Sequence, residues 1–229
     1  VHLLHRLHDH AGEGVTTFEL LRRENLDYVL QTLEGHGDPF AEVYPWYVLL
    51  EIDGQDEGQT RRVIERALEN AFEAGLVQDA VLAENTDQAQ KLWALRELQA
   101  EAQQQVGVGI KHDISVPISQ IPDFLQEADA ALEAAYPGLR PAAFGHLGDG
   151  NIHYNPIAPP AWDGAAFEAE RNKVNRIVHD LVVRYGGSIS AEHGLGRLRL
   201  AEAEHYKSSV ELELMRTIKR SIDPKNIMN

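Results

Sequence analysis

An α+β fold is the expectation for this 229-residue chain: an antiparallel sheet with helices mainly on one face, built from ferredoxin-like units and followed by C-terminal helices. Three observations carry it. From about residue 110 the elements read strand, helix, strand, strand, helix, the order of a ferredoxin-like unit. The two adjacent strands meet at Asp149-Gly150, the dipeptide favoured in two-residue hairpin loops, where both positions take positive φ. The run Trp46-Tyr47-Val48-Leu49-Leu50-Glu51-Ile52, inside a strand over 44–53, is the strongest strand signal in the chain. Self-similarity is too weak to define a repeat, so residues 1–229 are read as one continuous domain.

The elements follow in order. Residues 1–11 read as a helix with His2, His5 and His8 at three-residue spacing; such a stripe can chelate metal, but a half-buried helix face is the commoner use. Residues 16–20 read as a short strand and 22–33 as a helix, before the loop Gly35-His36-Gly37-Asp38-Pro39. After the 44–53 strand come a helix over 59–74 that Gly75 stops and a strand over 77–82. Asn85-Thr86-Asp87 then opens a helix that runs to about 104. Residues 110–117 alternate as a strand with Lys111, Asp113 and Ser115 on one face. Ser119 is expected to cap a helix over 121–135, and strands over 139–147 and 152–157 form the hairpin. A surface excursion over 158–164 leads into the longest helix, 165–185, which Gly186-Gly187 ends. Helices over 198–207 and 210–222 complete the chain.

Composition excludes several function classes. A formal net charge of −15 argues against nucleic acid or an anionic membrane surface as partner. It leaves an anionic substrate open, because a few basic residues in a cleft set the local field. Zero cysteines remove disulfides and Cys-based metal sites. With no apolar run of about 18 residues and no signal pattern in Val1-His2-Leu3-Leu4-His5, membrane insertion is not expected and a cytoplasmic location is the default. The missing initiator Met and the ending Asn226-Ile227-Met228-Asn229 point to a fragment. Gly107-Val108-Gly109 lacks the third glycine and the helix of a dinucleotide fingerprint, so the chain alone is not expected to hold a flavin tightly.

The chemistry concentrates in Gly145-His146-Leu147-Gly148-Asp149-Gly150-Asn151-Ile152-His153-Tyr154-Asn155. A turn centred on Asp149-Gly150 sets His146 opposite His153, with Cβ atoms about 4.5–5.5 Å apart. Asn155 lies two residues on, on the same strand face. Taken alone, the pair reads more readily as two histidines that merely hydrogen-bond around a Gly-rich turn. A second segment, Ser190-Ala191-Glu192-His193-Gly194-Leu195-Gly196, supplies a carboxylate and a further imidazole between glycines. Two His plus one carboxylate with open positions is a common catalytic metal set, so His146, His153 and Glu192 are the candidate metal ligands. Zinc fits that set best; Mn, Fe or Co would also be bound by these ligand types.

Residues 145–155 and 188–197, with the ending Ser221-Ile222-Asp223-Pro224-Lys225-Asn226-Ile227-Met228-Asn229, resemble the C-terminal domain of FAD-linked oxidases. More narrowly they are similar to the D-lactate and D-2-hydroxyglutarate dehydrogenase branch of the vanillyl-alcohol-oxidase family. The resemblance covers nearly the whole chain and implies the same cap-domain architecture. It further implies oxidation of a D-2-hydroxy acid to the 2-oxo acid, with FAD held by a separate N-terminal domain that this chain lacks. That FAD-binding domain, the small anionic acid and a second copy of the chain in a homodimer are the expected partners.

The resemblance also implies roles for residues. His193 would act as general base on the substrate hydroxyl, a task suited to an imidazole near neutral pH. Arg96, in Trp93-Ala94-Leu95-Arg96-Glu97, and Lys111 stand at the separation of a substrate-carboxylate pair, the one a planar fork and the other a point charge. Surface pairing of these cations with Glu97 or Asp113 is the bland alternative. Asn155 matches a substrate-contacting Asn, and Gly194 and Gly196 would let backbone approach the flavin ring, or simply form a turn. Hydroxyglutarate-oxidising members carry Thr four residues after the Arg, where this chain has Ala100, so one donor to a distal carboxylate is missing. Two competing readings are a flavin-independent metal hydrolase built on the same His/His/Glu set and a non-catalytic small-molecule-binding module.

Overall fold

The computed structural model describes residues 1–197 and 199–228. It divides into two compact units, Val1–Ile189 and Ser190–Asn229, and each is described by itself.

In the first unit, five strands make one antiparallel sheet: β1 (Val15–Arg22), β2 (Trp46–Ile52), β3 (Asp113–Ser115), β4 (Ala143–His146) and β5 (Asn151–Tyr154). Their order is β2-β1-β4-β5-β3. The helices around the sheet are α1 (His2–Ala11), α2 (Arg23–Thr32), α3 (Glu57–Glu73), α4 (Thr86–Glu97), α5 (Gln99–Val106), α6 (Ile121–Ala135), α7 (Gly164–Ala169) and α8 (Arg171–Arg184). The α+β architecture with an antiparallel sheet is thus as the sequence predicts.

Local chemistry explains several boundaries. Asp56 and Asn85 cap α3 and α4 by accepting the backbone N–H of Gln59 and Gln88. Within α1, His8 is used locally, its Nδ1 donating to the Gly12 carbonyl (3.0 Å), and the helix buries Leu4 and Leu7. Four expectations are corrected. The helix expected to run unbroken to 104 is interrupted at Leu98, and the one expected over 165–185 is interrupted at Glu170. Residues 77–82 join no strand ladder among the described residues, and Val81 is exposed. Ser119 lies inside a 3-10 turn, Ile118–Gln120, that runs into α6, and caps nothing.

The two sheet faces differ. Ile114, Ile152 and Tyr154 are fully buried on one face. Tyr154 meets the Phe124 ring of α6 at 5.9 Å and donates to Asp129 Oδ1 (2.8 Å). On the other face, Tyr47 packs against a core of Leu26, Val29, Leu95, Ala102 and Ile157 from α2, α4, α5 and the segment after β5. This second face, beneath α4, carries the polar residues of interest.

The second unit holds α9 (Leu200–Tyr206) and α10 (Ser209–Ile222). The helix expected from 198 has its first residue, Leu198, outside the described residues. Ser208 caps α10 in a reciprocal box with Glu211. Asp223 closes the helix, paired with Lys219 and accepting the N–H groups of Ile227 and Met228.

Candidate active site

The hairpin that brings the histidines together is not the one the dipeptide predicts. Asp149-Gly150 does sit in the turn, but the loop has four residues, Leu147 to Gly150, with Gly150 N–H donating to the Leu147 carbonyl (3.3 Å). Phe144, and not His146, is therefore opposite His153. A slip of two residues preserves the sheet face, because side chains alternate with period two. His146 and His153 are diagonal neighbours with ring centroids 6.3 Å apart. Geometry that the wrong turn would have put directly across is thus kept on one wall.

Register carries the polar row across the sheet. Glu19 of β1 faces His146 of β4, and Asp113 of β3 faces His153 of β5. Glu19 is only 2% exposed and splits its carboxylate between two cations or donors. Its Oε1 takes His146 Nδ1, and its Oε2 accepts Arg96 Nε at 2.6 Å. Arg96 sits in the last turn of α4 with its guanidinium 4.7 Å over the Phe144 ring. Neither Glu97 nor Asp113, the surface partners considered from sequence, holds it.

Glu19 was not among the residues singled out from sequence. In Thr16-Thr17-Phe18-Glu19-Leu20-Leu21 a lone acid in a strand reads as a solvent-facing position. Pairing with residues 77 and 127 positions away turns it inward. Asp113, 2% exposed and across from His153, was read only as an alternating strand residue.

The remaining first-unit residues divide. Lys111 is exposed and, by continuation of the β3–β5 register, stands opposite Asn155. Asn155 is buried, and its amide faces inward: Oδ1 accepts the His112 N–H (3.1 Å) and Nδ2 donates to Gln103 (2.9 Å). Gln103 and Gln99 bond Asn25 in turn, so a chain of amides runs from β5 to α2. One N–H of Asn155 remains for a ligand. Ala100 is exposed in the first turn of α5, beyond the break at Leu98, so the four-residue spacing from Arg96 crosses a helix junction.

In the second unit, residues 190–197 form neither helix nor strand, and Glu192 and His193 are exposed. Gly194 and Gly196 have φ of 74° and 52°, a left-handed backbone that requires glycine in a turn. The glycines therefore serve the turn whatever they approach.

The donor chemistry of the first unit fits a divalent cation. Two imidazoles share a wall, and with Nδ1 of His146 turned to Glu19, Nε2 is the nitrogen it can offer a metal. The chain belongs to the family described as FAD linked oxidases, C-terminal domain, whose model matches residues 1–229.

Its relatives narrow the likeness. It is 39% identical over 212 residues to a D-2-hydroxyglutarate dehydrogenase of Xanthomonas citri pv. viticola, covering 93% of this chain and 44% of that one. It is 37% identical over 230 residues to a D-2-hydroxyglutarate dehydrogenase of Stutzerimonas stutzeri, covering 99% and 48%. A mitochondrial D-2-hydroxyglutarate dehydrogenase of Arabidopsis thaliana matches at 35% over 218 residues, covering 95% and 38%. The chain spans less than half the length of these relatives.

Proposed function

We propose that this chain is the substrate- and metal-binding part of a flavin-dependent dehydrogenase that oxidises a D-2-hydroxy acid to the 2-oxo acid. The observation that carries the reading is the row Arg96–Glu19–His146 with His153 beside it: an anion-binding fork and two imidazoles on one sheet face. Family membership supports it and leaves the hydrolase and non-catalytic readings without support of their own.

Arg96 offers its terminal nitrogens to the substrate carboxylate, since its Nε is engaged by Glu19. Lys111 adds a second positive charge from the β3 side, and Asn155 contributes one amide N–H. His146 and His153, with Glu192 assigned from sequence, would hold a divalent cation, zinc first. Such a cation would supply Lewis acidity to the substrate hydroxyl and help orient it. His193 takes the hydroxyl proton on an imidazole nitrogen. FAD would supply the acceptor for the hydride of the carbinol carbon, and Gly194 and Gly196 are assigned to its approach. D-2-hydroxyglutarate heads the substrates to be tried because the relatives bear that name. Ala100 in place of a hydroxyl donor makes D-lactate the necessary comparison.

The test is turnover of the intact protein with each acid and an artificial electron acceptor. His193→Asn should lower kcat by about 100-fold or more while Co²⁺ binding persists, in line with loss of a general base. Chelator treatment should abolish turnover, and Zn²⁺ or Mn²⁺ should restore it. Full turnover after complete metal removal, or in His193→Asn, overturns the corresponding assignment.

A further inference from the structure

We propose that Glu19 is the positioning residue of this site, one carboxylate that orients the metal-facing imidazole of His146 and the substrate-facing guanidinium of Arg96 together. The inference rests on the metal and substrate roles proposed above and extends them to a residue that neither the motifs nor the family likeness singled out.

A carboxylate taken out of water needs charged or hydrogen-bonding partners on both oxygens. The Glu19 side chain is 3% exposed, and each of its oxygens has one partner. Strand register makes the first contact obligatory, because Glu19 and His146 are paired across β1 and β4. With a carboxylate accepting from Nδ1–H, the neutral imidazole is held in the tautomer that leaves the lone pair on Nε2, the nitrogen that would serve a cation. The second contact acts on Arg96. Nε is held at 2.6 Å and the guanidinium plane lies over Phe144, which fixes the direction in which the terminal nitrogens point. The two half-sites, for cation and for carboxylate, are thereby set by one group. Loss of Glu19 disturbs both at once, which loss of a ligand on one side does not.

The experiment uses the intact protein with Glu19→Gln and Glu19→Asp. Histidine tautomers are read from ¹⁵N spectra of the metal-free protein at mildly alkaline pH, Co²⁺ affinity from competition titration, and KM and kcat from turnover of D-2-hydroxyglutarate. In the wild type His146 is expected as the Nδ1–H tautomer. Glu19→Gln keeps one acceptor where two are needed; with that oxygen on the charged Arg96 its NH2 faces His146 Nδ1, which should populate the Nε2–H form and weaken Co²⁺ binding by about 10–100-fold. It should also raise KM more than it lowers kcat. Glu19→Asp keeps the charge and should recover part of both effects; it carries the comparison if the Gln variant does not fold. A plain structural brace would lower the melting temperature of both variants with tautomer, Co²⁺ affinity and KM unchanged, and that result overturns the proposal. A wild type that takes up no Co²⁺ defeats the metal reading alone, since tautomer and KM still decide the role of Glu19.

Discussion

Gly145 occupies β4 between Phe144 and His146 at φ 154°, a backbone that side chains rarely adopt. A Cβ there would run into the carbonyl oxygen of Asn151 and stand 3.0 Å from Ile152 Cα on the facing strand. The glycine thus lets β4 and β5 close up where His146 must sit. Gly145→Ala should cost about 2–4 kcal/mol from backbone strain and overpacking together, read as a lowered urea midpoint. It should weaken Co²⁺ binding in the same protein, because the two histidine strands are pushed apart. Asp223 works at the same scale in the second unit. The hydrogen bond from Lys219, followed by the backbone N–H groups of Ile227 and Met228, holds its pKa at about 2, against an ordinary value of 3.8. A depressed carboxylate pKa means that the cap is at full strength above about pH 4 and is lost as pH falls towards 2. Amide exchange at Ile227 and Met228 should accelerate across that window. Asp223→Asn should exchange fast at all pH values, and a flat profile in the wild type would contradict the assignment.

Elements are tied across the sheet by few, specific contacts. Tyr154 of β5 and Arg22 of β1 both bind Asp129 of α6, at 2.8 and 2.5 Å. Burial and then the Asp129 charge raise the Tyr154 pKa well above 10, so the phenol stays a donor through the ordinary pH range. Tyr154→Phe removes a hydrogen bond to a charged acceptor and should cost about 1.5–3 kcal/mol by denaturant unfolding. Because Tyr154 points away from the histidine face, Co²⁺ affinity should be unaltered; a coupled loss would show that α6 and the site are one cooperative element. Helix breaks belong to this scale as well. Residues 94–105 are strong helix formers without Gly or Pro, yet the helix divides at Leu98. Leu98 packs against the core of Leu95, Ala102 and Val29, and that packing outweighs propensity. The division ends α4 one residue beyond Arg96 and lets α5 carry Gln103 towards Asn155.

For the whole molecule, the charge of −15 acts against binding any acid, so the proposed acid site would depend on cations held individually in place. Arg96 is held by a buried acid, and the site as a whole couples positive and negative groups in a row. Much of this was legible in the chain itself. Caps at Asn85 and the order of elements from 110 onward are local signals, and they gave the α+β class. The turn at Asp149-Gly150 and the Gly-bounded Glu192-His193 pair marked the residues proposed for the site, since reactive side chains recur at turns with constrained backbones. Those features depend on neighbours a few positions away, which is why sequence determined them. Tertiary structure alone decided the four-residue loop and the resulting diagonal placement of His146 and His153. It also decided the absence of a strand over 77–82 among the described residues, and the inward turn of Glu19 and Asn155. Each of those depends on which strand lies alongside, and strand neighbours here are separated by up to about 130 positions in the chain, as Glu19 and His146 show. A buried acid becomes a functional group only when the partner that makes its burial tolerable arrives from the far end of the sequence.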